Sequence, residues 1–194
     1  MKLRVGELFK FLSVKGTAYI GVLSALALIS SRFASFYMIP SVRVDPAGPA
    51  VIMIAGMLFG PVAGMIVGGL SDVIGFLIYN PTGLPWNPFV FAGQITYGLV
   101  AGIIVWLIKK TIEGQSVIGF FKPEKTPVWK IVLAVIIAQL CGFIVITIGL
   151  TFIMPNNPTF WGLFLTRVPF QPLFMIWYST IAGIVIKKIF EQKI

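Results

Sequence analysis

The side chains of this sequence that could bind or transform a small molecule are few, and most of them interrupt long apolar runs. Arg32, Asp72, Gln94, Arg167 and Gln171 each stand among aliphatic, aromatic or small residues. Guanidinium and amide groups recognise anions and polar groups through hydrogen bonds. The chain has no histidine, and no serine or cysteine stands beside a plausible base. The pattern therefore predicts a binding protein and not an enzyme.

A second group of candidate ligand contacts lies in the segment YNPTGLPWNPFVF, residues 79–91. Its three prolines stiffen the backbone, and its asparagines can bond to a turn or to a ligand. Tryptophan supplies a flat apolar wall with a polar N–H. We expect this segment to form a wall or lid of an outward-facing site; the alternative is ordinary turns with an interfacial aromatic belt. The predicted ligand contacts are Arg43, Asn80, Trp86, Asn87, Gln94, Arg167 and Gln171.

Asp72 is predicted to support the site. It lies about ten residues beyond Gly60-Pro61, which places it about 15 Å into a bilayer at the rise of an α-helix. An ionisable group at that depth needs a partner or a wet cavity. Its role is left open between a structural partner, for instance of an arginine, and a direct ligand contact.

Composition indicates what surrounds these residues. Hydrophobic residues make up 58% of the 194, and charged residues only 11%, against about 25% in soluble domains. So few charges cannot cover a water-exposed surface, which predicts an integral membrane protein in contact with the lipid bilayer. The single cysteine, Cys141, cannot form an internal disulfide. With no histidine either, we expect no metal site and no cofactor.

Six apolar segments predict an all-α membrane bundle of six transmembrane helices that forms a single domain over residues 1–194. The helices are expected at about 17–38, 48–59, 62–79, 89–108, 128–153 and 161–186. Gly60-Pro61 separates the second from the third, because proline disfavours helix in the residue before it.

The distribution of basic residues predicts the orientation. Six spans place the N-terminus, the turn at 60, the loop 109–127 and the C-terminus on one side. Twelve basic residues belong to that side and three to the other, so both termini are expected in the cytoplasm. The twelve are Lys2, Arg4, Lys10, Lys15, Lys109, Lys110, Lys122, Lys125, Lys130, Lys187, Lys188 and Lys193; the three are Arg32, Arg43 and Arg167. Since these residues orient the helices and contact anionic lipid, the net charge of +9 requires no nucleic acid.

Missing motifs narrow the class of transport protein. The sequence has no G-x-x-x-x-G-K-[ST] phosphate loop, and Asp72 is its one acidic residue within an apolar segment. A receptor that passes its ligand to a partner fits best; a self-sufficient carrier or channel and a ligand-free structural protein are the rivals. Gly21 and Ala25 follow Thr17 at intervals of four, a spacing that allows close helix contact with a partner or within the bundle.

Three runs of the sequence resemble the substrate-binding S components of energy-coupling-factor (ECF) vitamin transporters. They are IAGMLFGPVAGMIVGGLSDVIGFLI (54–78), FAGQITYGLVAGIIV (91–105) and LFLTRVPFQPLFMIWYSTIAGIVIKK (163–188). The resemblance implies a six-helix fold that binds a vitamin near the outer face of the bacterial plasma membrane. It also implies a transmembrane coupling subunit and two ATPase subunits as partners, with Gly21 and Ala25 contacting the coupling subunit.

The same resemblance points to a group of vitamins. LFGPVAGMIVGGLSDVIG and FAGQITYGL look most like the carriers of folate, pantothenate and pyrimidine or pyridoxine precursors. Three outward arginines against one outward acid, Asp45, favour an anionic ligand, with folate preferred. However, FIVITIGLTFIM lacks the Leu-Asn-Thr run of folate carriers, so pantothenate and a pyridoxine- or hydroxymethylpyrimidine-type ligand stay as alternatives.

Overall fold

The computed structural model describes residues 14–39, 42–80, 85–113, 128–154 and 159–191, and it is predominantly helical. Seven α-helices, a two-stranded hairpin and one 3₁₀ turn make up the described chain. In chain order they are α1 (Val14–Phe33), β1 (Phe36–Ile39), β2 (Val42–Val44), α2 (Gly48–Phe59), α3 (Pro61–Ile78), α4 (Pro88–Glu113), α5 (Val128–Ile153), α6 (Phe160–Arg167), the 3₁₀ turn (Val168–Phe170) and α7 (Gln171–Glu191).

Within the described residues, five stretches are long and apolar enough to cross a membrane: α1, α3, α4, α5, and α6 with α7 taken together. Helix α2 has 12 residues, so it rises only about 18 Å and is too short to cross about 30 Å of hydrocarbon. Nine of those residues are buried, including Ile52 and Met53. This short helix therefore packs inside the bundle, where protein surrounds it.

Glycines allow α2, α3 and α4 to approach one another closely. Gly60 joins α2 to α3 with a φ of 98°, a conformation that residues with a side chain rarely adopt. A Cβ on Gly56, Gly64 or Gly98 would overlap the backbone of another of these three. The glycine-rich run 54–78 is thus a packing feature that sets the helix positions around the site.

The first helix is shorter than predicted. It ends at Phe33, and residues 36–39 form the first strand of a hairpin, so the expectation of helix to residue 38 is wrong. Aromatic and aliphatic residues suit a strand as well as a helix. The returning strand is fixed to the end of α1 because Arg43 donates to the Ser35 hydroxyl at 3.0 Å. The all-α description therefore needs this small antiparallel sheet added.

The last predicted helix is broken into α6 and α7 by the 3₁₀ turn, which contains Pro169. Proline removes a backbone donor and prevents a regular helix at this point. Helix α6 begins at a cap in which Thr159 accepts from the Gly162 amide at 3.3 Å. The break lies beside Arg167, at the end of α6, and Gln171, at the start of α7.

Two further predictions concern the end of the fourth helix and the orientation of the chain. Helix α4 continues to Glu113, beyond the expected 108. Six of the basic residues used for orientation belong to segments that are not described: Lys2, Arg4, Lys10, Lys122, Lys125 and Lys193. The orientation of both termini therefore stays a prediction.

Candidate functional site

A cavity of about 260 Å³ opens between the hairpin, the segment before α4 and the helices of the bundle. Every residue predicted to contact or support a ligand lines it: Arg43, Asp72, Asn80, Trp86, Asn87, Gln94, Arg167 and Gln171. Residues 81–84, in the middle of the predicted lid, lie outside the described chain. The fold thus brings the candidates together; that they contact a ligand stays a prediction.

Arg32 and Asp72 form an ion pair at the wall of the cavity. Their side-chain atoms lie 3.3 Å apart, and the same guanidinium donates to the Asp72 carbonyl at 3.2 Å. Asp72 therefore has a structural partner on α1. Trp86, from the segment before α4, lines the same cavity. Arg32 was counted among the outward arginines but not among the predicted contacts.

Asp45 anchors the end of the hairpin. Its carboxylate accepts from the hydroxyls of Ser30 at 3.1 Å and Ser31 at 2.5 Å, and from the backbone amide of Gly48 at 2.7 Å. Its carbonyl accepts from the Tyr178 hydroxyl at 2.7 Å. These bonds join α1, the start of α2 and α7, so the Asp45 carboxylate is satisfied by neutral donors and keeps its negative charge at the cavity wall.

The hairpin carries two residues of the cavity wall. Tyr37 and Arg43 are paired across the strands, and both line the cavity. Arg43 was predicted from the sequence, whereas Tyr37 was missed because residues 36–38 were assigned to a helix. Among the described residues, Arg43 has no carboxylate within ion-pair distance.

Asn87 has a structural role that accounts for both ends of its side chain. Its amide oxygen accepts from the Phe89 amide at 2.7 Å and caps α4, which begins with Pro88. Its amide nitrogen donates to the Gly149 carbonyl of α5 at 2.8 Å. Asn87 is 7% exposed, so it positions the segment that carries Trp86.

Arg167, the last residue of α6, is bound to side chains of α5. It donates to the Thr147 hydroxyl at 2.6 Å, and its guanidinium lies 5.1 Å from the centroid of the Phe143 ring. In the described part of the chain it has no carboxylate partner. A guanidinium held by a hydroxyl and an aromatic face keeps donors available for an anion.

Two buried amide side chains are bonded to each other in the cavity wall. Gln139 of α5 donates to the Gln171 side chain at 3.2 Å, and the two are 4% and 7% exposed. Sequence reasoning selected Gln171 and Gln94 but missed Gln139. The sequence feature that could have identified Gln139 is its position as the lone amide in the apolar run of α5.

The described residues contain no cluster of three histidine, cysteine or acidic side chains that could hold a metal ion. Cys141 is half-buried and does not line the cavity. The polar groups present can donate to an anion and exchange hydrogen bonds with a ligand, which is binding chemistry.

Gly21 and Ala25 do not line the cavity. Both are exposed on α1. Apart from α1 itself, no described residue lies within 4 Å of where a Gly21 side chain would start. A neighbouring set of small residues on α1, which includes Ala27 and Ser31, is instead buried. Packing among the described residues therefore does not explain the stripe of Gly21 and Ala25.

The model of one protein family, described as "ECF transporter, substrate-specific component", matches residues 15–191. The chain belongs to this family. An S component is the substrate-binding component of a transporter and not an enzyme. Together with the five membrane-length stretches, the match makes this chain a multi-pass membrane protein.

Several curated proteins are similar to this S component. The UPF0397 proteins of Clostridium perfringens and Lactobacillus gasseri are 33% and 34% identical over 99 and 96 residues. Those matches cover 50% and 48% of this chain and 51% and 49% of the relatives, so the chain spans about half the length of these proteins. The "Folate transporter FolT" of Clostridium novyi is 29% identical over 136 residues, or 69% of this chain and 62% of that one.

The fold of this S component is also seen in a solved structure. The chain described as "Crystal structure of FolT bound with folic acid" matches with a TM-score of 0.65 and 20% identity, over 89% of this chain and 94% of that one. At this identity the likeness establishes a shared fold alone.

Proposed function

We propose that this S component captures a water-soluble B vitamin at the outer face of a bacterial plasma membrane, with folate the favoured ligand. It then acts as the specificity subunit of an ATP-driven ECF importer. One observation carries the proposal: Arg43 and Arg167 line the same cavity as buried amides and aromatic rings. Among the described residues, neither arginine has a carboxylate partner.

The charges around the cavity support an anionic ligand. The charged residues that line it are three arginines, Arg32, Arg43 and Arg167, and two aspartates, Asp45 and Asp72. Because the Asp72 charge is paired with Arg32, the remaining two arginines outnumber Asp45 and leave a net positive wall. A carboxylate can accept paired hydrogen bonds from a guanidinium, and folate carries two carboxylates on its glutamate tail.

Folate is preferred over the alternatives for two reasons. One relative that matches over 69% of this chain is described as a folate transporter. In addition, flat walls such as Trp86 and Phe143 suit a planar ring system. Pantothenate shares the anionic group but not the ring, and a pyridoxine-type ligand has the ring but no carboxylate.

The energy for import is proposed to come from partner proteins. The sequence holds no phosphate loop of its own, so a transmembrane coupling subunit and two ATPase subunits are required. The exposed small residues Gly21 and Ala25 of α1 are the proposed contact with the coupling subunit. Small residues at this spacing permit close helix approach.

The test is a titration of the purified chain in detergent, followed by tryptophan fluorescence. Folic acid, pantothenate, pyridoxine and hydroxymethylpyrimidine are added separately. We expect saturable quenching by folic acid, because Trp86 lines the cavity. Saturation by another of the four would keep the receptor function and replace the ligand. Gradient-driven uptake by this chain alone in liposomes would instead favour a self-sufficient carrier.

A further inference from the structure

Two buried amide oxygens of the cavity have no hydrogen-bond partner among the described residues. They are the Oε1 atoms of Gln94 on α4 and Gln139 on α5. Both side chains line the cavity. Gln139 is 4% exposed and already donates to Gln171, so its oxygen is the part of the amide that is left for another molecule.

A buried acceptor without a donor destabilises the protein, since its desolvation is not compensated. An amide oxygen can be satisfied by an N–H or O–H group but not by another acceptor. The two oxygens therefore set a requirement on the ligand: a group that contacts Gln94 and Gln139 must carry hydrogen-bond donors.

Helix α5 relates Gln139 to the cation. Gln139 and Thr147, which accepts from Arg167, are eight residues apart, so they are separated by about 12 Å along the helix axis. The Arg167 guanidinium also lies over the ring of Phe143, one turn from Gln139. A single ligand can therefore donate to the Gln139 oxygen and place an anionic group at Arg167, because the two lie within about 12 Å of each other.

Aromatic rings border the space around Gln139 and Arg167. Phe143 stands between Gln139 and Thr147 on α5, with the Arg167 guanidinium over its ring. Phe174 of α7 also lines the cavity and stacks on Tyr178, with ring centroids 6.0 Å apart. Flat apolar walls favour a planar group between them.

We propose that Gln94 and Gln139 are specificity-determining residues that read the N–H edge of a planar heterocycle. The same ligand places its anionic substituent near Arg167. This inference rests on the proposed receptor function and narrows its ligand to aminated heterocycles with an acidic tail, which excludes pantothenate.

Three probes distinguish ligand contacts with the two glutamines from ligand contacts with Arg167. Folic acid carries both the ring and the tail, pterin carries the aminated ring alone, and p-aminobenzoylglutamate carries the anionic tail alone. Binding of each is measured by calorimetry or fluorescence to the parent chain and to the Gln94→Met, Gln139→Met and Arg167→Met variants. Leu140→Met is the matched control, because Leu140 is exposed on the same helix and does not line the cavity.

Each glutamine variant is expected to bind folic acid and pterin at least about tenfold more weakly. Its binding of p-aminobenzoylglutamate should be unchanged, whereas Arg167→Met should weaken folic acid and the tail but not pterin. A second readout is thermal stability without ligand. Gln94→Met removes an unsatisfied acceptor, so its melting temperature should equal or exceed that of the parent, which a purely structural glutamine would not predict.

The proposal is overturned if both glutamine variants bind folic acid and pterin within about twofold of the parent. Saturable binding of pantothenate or pyridoxine, with none of folic acid or pterin, would keep the receptor function and reject the heterocycle-reading amides. No saturable binding of any probe to folded protein would reject both.

Discussion

Arg32 and Asp72 join α1 to α3 by an ion pair of 3.3 Å beside the ligand cavity. Their side chains are only 11% and 8% exposed. Two charges in such a position stabilise each other only while both are present, because either alone would be buried without a counter-ion. The pair therefore favours the structural interpretation of Asp72 over direct ligand contact.

Substituting Asp72→Asn is expected to destabilise the protein by about 3–5 kcal/mol, since it leaves the Arg32 guanidinium buried and unpaired. The measurement is the melting temperature in detergent. The double variant Arg32→Met/Asp72→Met should be more stable than Asp72→Asn, because it removes both charges. If Asp72→Asn melts like the parent but loses vitamin binding, Asp72 is a ligand contact.

Close packing of glycines gives a second prediction. Gly98→Ala would place a Cβ against the Gly64 backbone, which cannot move as a flexible side chain could. We expect little folded protein, measured as the monodisperse fraction after extraction in detergent. Gly183→Ala on α7 is the matched control, because apart from α7 itself no described residue lies within 4 Å of the added methyl group. Equal yields of both variants would contradict the glycine contact.

The helices were predictable because apolar length is a strong signal. Gly48–Phe59 and Val128–Ile153 begin and end where the sequence placed them. The hairpin was not predictable, since FYMI suits a strand or a helix end and only its pairing with residues 42–44 decides. Strand pairing depends on contacts between separate positions in the sequence, such as the hydrogen bond between Arg43 and Ser35.

The candidate site shows the same division. Isolated polar residues in apolar runs identified Gln94 and Arg167, because a membrane protein tolerates few of them. Gln139 carries the same signal, a lone amide in the apolar run of α5, but it was not selected. Asn87 was selected as a ligand contact, although Asn-Pro before an apolar run is also typical of a helix cap, and the structure shows that cap.

Trp86 provides a test of the wall of the cavity. Its ring packs against Phe91, with centroids 5.6 Å apart, and it lines the cavity. The ring is 43% exposed, so a vitamin in the cavity could cover it. Trp86→Ala is therefore expected to weaken vitamin binding by about 1 kcal/mol or more. Trp161→Ala is the control, since Trp161 is exposed and outside the cavity. Calorimetry that finds equal affinities for both variants would make Trp86 an interfacial belt residue.

The exposed stripe of α1 is tested by adding bulk. Gly21→Leu and Ala25→Leu point away from the rest of the protein, so folding and vitamin binding by the isolated chain should be unchanged. Uptake by cells that co-express the coupling and ATPase subunits should fall at least about tenfold, because leucine prevents close helix approach. Gly183→Leu, on α7, is the control. Full uptake by the α1 variants would remove Gly21 and Ala25 from the interface.

Arg167 tests how the cavity recognises negative charge. Its guanidinium is held between the Thr147 hydroxyl and the Phe143 ring, a geometry that requires a planar group with several donors. Lysine keeps the charge but offers one compact ammonium without the planar fork. We therefore expect Arg167→Lys to weaken binding of an anionic vitamin by about 1–2 kcal/mol, and Arg167→Met by more.

The order of these two variants separates charge from geometry. If lysine restores the affinity of the parent, measured by calorimetry at one salt concentration, the site needs only a positive charge near Thr147. If lysine and methionine weaken binding equally, the charge contributes little and the paired donors of the guanidinium carry the recognition. Binding unchanged in both variants would remove Arg167 from the ligand site and leave Arg43, on the hairpin, as the cation that contacts the anion.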